Sequence, residues 1–122
     1  MDKPTLAIKL KKQLLQFLKE LSLQLPKEGD IILAIIILEN QIPEQSIVDY
    51  FITKIIPLKD EIMNKNEKFF LENNILFESI ENSTVNKFKT IWQSNDITNE
   101  NREIIWDWFK IFVMITEKYM RV

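Results

Sequence analysis

Residues 31–38 read Ile31-Ile32-Leu33-Ala34-Ile35-Ile36-Ile37-Leu38. Eight consecutive apolar positions carry no period. The run fits a buried strand, which its β-branched content favours, and equally a short helix buried on every side. The choice decides the fold class. A strand needs a neighbour to pair with, and no other run among the 122 residues reads convincingly as one. The stretch is therefore taken as helix and the chain as all-α.

The flanking segments agree. Before the run, Leu6, Leu10, Leu14, Phe17, Leu18, Leu21 and Leu25 recur at spacings of three and four, predicting an amphipathic helix over residues 5–25. Thr5 is placed to cap it and Pro26 to stop it, and Asp30 to cap the apolar helix. After the run, Pro43-Glu44-Gln45 has the character of a first helical turn. Ile47, Val48, Phe51, Ile52, Ile55 and Ile56 then form a stripe up to Pro57, which must break or kink the helix there. A helix over residues 58–72, a break at Asn73-Asn74 and a short helical turn at 75–80 come next. A helix opened by Ser83 then carries Val85, Phe88, Ile91 and Trp92. Thr98 should cap a closing helix over 99–119, striped by Ile105, Trp108, Phe109, Phe112, Ile115 and Tyr119. The whole is a single compact bundle of about six helices over residues 1–122. Its C-terminal helix is hydrophobic, aromatic-rich and central.

Composition excludes much chemistry. With no Cys and no His there is no thiolate nucleophile, no imidazole base and no zinc site built on either. A single Gly excludes the glycine-rich phosphate loops. Asp60, Glu61 and Glu67, on one expected helix, are the best carboxylate group for a hard cation. Lys59, Lys65 and Lys68 interleave with them, as on a solvated, salt-bridged face. Glu78 and Glu81 are a weaker pair. No enzymatic activity, metal, cofactor or small-molecule ligand is expected.

Sixteen basic and eighteen acidic side chains nearly cancel, which argues against a general coat for nucleic acid. Residues 1–30 hold six Lys against four acids, and Lys9, Lys11, Lys12 and Lys19 lie on the first helix. They are the candidate nucleic-acid contacts, against the simpler reading of a solvated face. Because Lys residues interrupt the N-terminal segment, no secretory signal is expected. The longest apolar run is too short to span a bilayer, which takes about 20 residues. A reducing cytoplasmic or nuclear location is the expectation.

Trp106 and Trp108 are the most informative pair. Two positions apart on a helix, they point about 200° from each other and cannot face one neighbour. Trp106, with Val113 and Met114, is expected on a self-association or partner surface. A charged residue at Trp106 should then weaken association without loss of helix.

From Ile55-Ile56-Pro57-Leu58-Lys59 onward the order of motifs continues through Ile62, Asn66-Glu67-Lys68-Phe69-Phe70-Leu71 and Trp92. It ends with Asn101, Ile105-Trp106-Asp107-Trp108-Phe109 and Thr116-Glu117-Lys118-Tyr119. This second half of the chain resembles a group of small, uncharacterised helical proteins of large nucleocytoplasmic DNA viruses (giant viruses). Trp108 stands where that pattern has Tyr, and Asn66 where it has Asp. The resemblance implies a viral protein acting in the infected host cell or the virion, and no reaction. The functional expectation is a non-enzymatic protein-interaction or assembly module, with a nucleic-acid-associated factor as the alternative.

Overall fold

The computed structural model describes residues 2–72 and 82–122, with the side chains of residues 82–85 and of Phe88 outside the description. The expected break at Asn73-Asn74, the turn at 75–80, the pair Glu78 and Glu81, and the side-chain roles given to Ser83, Val85 and Phe88 lie outside it. Among the described residues every regular element is helical and none is a strand. The fold is all-α, with helices α1 (Lys3–Gln24), α2 (Gly29–Gln41), α3 (Glu44–Tyr50), α4 (Lys59–Met63), α5 (Glu67–Glu72), α6 (Asn82–Gln93) and α7 (Asn99–Arg121). The chain runs from α3 into α4 through a π turn, Phe51–Ile55, and a 3₁₀ turn, Ile56–Leu58.

The helix starts follow local chemistry, with two corrections. Asp2, not Thr5, caps α1: its carboxylate accepts the Thr5 N–H at 2.9 Å, and the helix begins two residues earlier than expected. That bond holds the Asp2 carboxyl below its ordinary value of 3.8. Asp30 does not cap α2. It lies in the first turn and pairs with Lys87. Thr98 caps α7 as expected, accepting the Asn101 N–H at 3.1 Å.

Pro57 shapes the middle of the chain. It has no N–H to donate, and its ring would crowd the carbonyl four residues back. The helix therefore widens before it, with the Ile56 N–H reaching the Phe51 carbonyl, and tightens at Pro57 before α4 resumes. The helix expected over 58–72 is two helices. Lys65 has φ 52° in the left-handed region, and the N–H groups of Asn66 and Lys65 bond the carbonyls of Glu61 and Ile62. This is a Schellman termination with Lys where Gly is usual. Asn66 then opens α5 by accepting the Phe69 N–H at 3.2 Å.

Burial puts α1 and α7 at the centre. They pack on each other, α2 and α3 pack on α1, and the π turn and α4 pack on α7. Leu6, Leu10 and Phe17 of α1 meet Ile105, Phe112 and Ile115 of α7 in one cluster with Ile31, Ile47, Val48 and Phe51. Phe112 is its hub, with the rings of Phe17, Phe51, Trp108 and Phe109 all within 6.3 Å. Buried Thr116 is satisfied by donating to the Phe112 carbonyl at 2.8 Å.

Candidate interaction surface

The expected surface at the closing helix is corrected by packing. Trp106 is 5% exposed and Val113 fully buried; only Met114, at 51%, faces outward. Trp106 and Trp108 do diverge, but α7 is covered on both sides. Trp108 lies 5.9 Å from Phe17 of α1, and Trp106 lies 5.7 Å from Phe70 of α5 and 5.8 Å from Trp92 of α6. A central helix has core on two faces, so divergent aromatics need not include an exposed one.

The four candidate lysines divide. Lys11 donates to the Ile42 carbonyl at 2.6 Å, satisfying an open acceptor just past the end of α2. Lys19 pairs with Glu39 of α2 at 3.2 Å. Both therefore fasten α2 to α1. Lys12 is exposed. Lys9 joins Lys118 and Arg121 of α7, with Leu6 and Val122, around an open cleft of about 350 Å³. Nothing in the sequence singles out the two α7 cations, because only folding brings the end of α7 beside the start of α1.

Among the described residues, no three acidic side chains are grouped to hold a metal ion. The break at Lys65 places Asp60 and Glu67 on separate helices, and Glu61 accepts from the Asn66 side chain.

The surface that stands out is on α2. Ile31 is buried, and Ile35 and Leu38 pack against the core. Ile32, Leu33, Ile36 and Ile37 face outward and are 37–55% exposed. The helix is apolar at every position between Asp30 and Glu39, yet only one side has a neighbour in α1. A surface helix normally carries a polar outer face, and a helix apolar all round is normally buried all round. The signal is present in the sequence as the absence of any polar residue over 31–38. That absence implies burial on every side, whereas the fold supplies it on one.

No single helix among the described residues is long and apolar enough to cross a membrane. The α2 helix and the segment Glu44–Met63 have sufficient apolar length together but meet at a bend of 119°. Comparisons with protein-family models, with curated proteins and with solved structures found no match to this chain.

Proposed function

We propose that this chain is a non-enzymatic helical interaction module that binds a protein partner through the outer face of α2. The observation that carries the reading is the row Ile32, Leu33, Ile36 and Ile37, half-exposed on a helix with no charge between Asp30 and Glu39. Covering half of an Ile or Leu side chain is worth about 1 kcal/mol before association costs, so the row supplies a few kcal/mol of gross driving force. The absence of His and Cys from the sequence supports a non-catalytic role. The viral setting, an assembly component of an infected cell or virion, rests on the resemblance of the second half of the chain.

The test is the double variant Leu33→Glu/Ile36→Glu. Both side chains point away from the core, so circular dichroism and Tm should stay close to wild type while partner binding is lost. Unchanged partner binding would remove α2 from the interface. A collapse of helix content would show that this face is internal.

One observation favours a second activity. The cleft of Lys9, Lys118 and Arg121 sets three cations together with no acidic side chain in its lining, an arrangement suited to a nucleic-acid backbone. Lys12 lies one turn along α1. Anisotropy of labelled RNA or DNA should then fall with rising salt and be abolished by Lys9→Glu/Lys118→Glu. Substituting Lys11 or Lys19 should reduce stability more than binding.

A further inference from the structure

We infer that the partner seated on α2 is a second copy of this chain, its α2 running antiparallel about a two-fold axis. This rests on the interaction reading of α2 and adds the identity of the occupant.

The face is suited to itself. Its four outward aliphatics form a row centred between Leu33 and Ile36. A two-fold axis there sets Leu33 of one copy beside Ile36 of the other, and Ile32 beside Ile37. Branched side chains meet branched side chains, and no charge is buried.

The charges at the two ends then select the direction. At the start of α2, Lys87 bridges Glu28 at 2.9 Å and Asp30 at 3.3 Å, leaving an excess of acid among the charges held there. At its end, Lys11 holds the Ile42 carbonyl and Lys19 holds Glu39, leaving an excess of base. An antiparallel pair brings the acidic end of one copy to the basic end of the other, twice. It also opposes the helix dipoles. A parallel pair sets like against like at both ends.

The area sets the strength. Four side chains about half exposed offer roughly 400 Å² of apolar surface per copy, near half of the ~800 Å² per partner in a standard interface. The dimer should accordingly be weak, with a dissociation constant of roughly tens to hundreds of micromolar.

Sedimentation equilibrium of the full chain, run from low micromolar to millimolar concentration, tests the association. Wild type should shift from monomer to dimer, and Leu33→Glu/Ile36→Glu should remain monomeric with unchanged helix content. The native chain has no Cys, so orientation can be read by cross-linking. A mixture of Leu33→Cys and Ile36→Cys chains should form the mixed disulfide several-fold in excess over either self-disulfide. Predominance of self-disulfides would overturn the antiparallel pairing, and a wild-type monomer at every concentration would overturn the dimer. If the chain is monomeric while the double Glu variant still loses a heterologous partner, the α2 surface stands and only its occupant is wrong. If neither association is lost, the interaction reading fails as well.

Discussion

Lys65 and Asn66 show how two residues divide a helix that periodicity joins. The apolar spacing runs on from Ile62 to Phe69 and Phe70, so the pattern reads as one rod. Yet Lys65 adopts a left-handed φ, which costs a side-chain-bearing residue energy that Gly avoids. The ion pair of its ammonium with Glu103 of α7 helps hold it there and raises the Lys65 pKa above 10.5. The next residue caps α5 through the Asn66 carbonyl oxygen. Asn66→Ala should cost about 1 kcal/mol in a urea melt, the usual value of such a cap, and Asn66→Asp should retain most of it. An equal loss in both variants would show that the cap contributes nothing. Arg102 makes a similar junction. It donates to the carbonyls of Trp92 and Ser94 and to the Asn99 side chain, closing the end of α6 from α7. Arg102→Ala should therefore lower stability by about 2 kcal/mol, as expected for charge-assisted bonds to otherwise open carbonyls.

At the level of elements, polar contacts fasten helices that share little core. The α6 helix is tied to the start of α2 by Lys87, whose pKa is raised above 10.5 by its hydrogen bonds to Glu28 and Asp30 and by their charge. A folded value above the unfolded one gives stability that is complete below 10.5 and lost as pH rises through the folded value. The Tm deficit of Lys87→Gln should therefore be present at neutral pH in low salt. It should shrink with added salt and vanish at alkaline pH. A deficit that persists at alkaline pH would mean that Lys87 acts by packing its stem. The α2 helix illustrates the complementary point. Its inner side is held by Ile31 packing and by Lys11 and Lys19 of α1, so its outer row is free to serve association without being needed for folding.

For the whole molecule, α7 is the axis. Phe112→Ala removes the ring that four others surround and should cost about 3–5 kcal/mol, a large part of the stability of a domain this size. Trp106→Glu should unfold the chain rather than merely dissociate it, because the carboxylate would be buried against Phe70 and Trp92. A folded, monomeric Trp106→Glu protein would return that residue to the surface. The sequence by itself determined the helical class, the apolar stripes of α1 and α7, the cap at Thr98 and the disturbance at Pro57, because each depends on spacing or residue type within a few positions. It could not place Trp106, Lys11 or the outer face of α2. Periodicity states that a side is apolar, whereas burial depends on which distant helix arrives to cover it. Only the tertiary packing put α5 and α6 over Trp106, drew Lys11 and Lys19 onto α2, gathered Lys9 with Lys118 and Arg121, and left Ile32, Leu33, Ile36 and Ile37 turned outward.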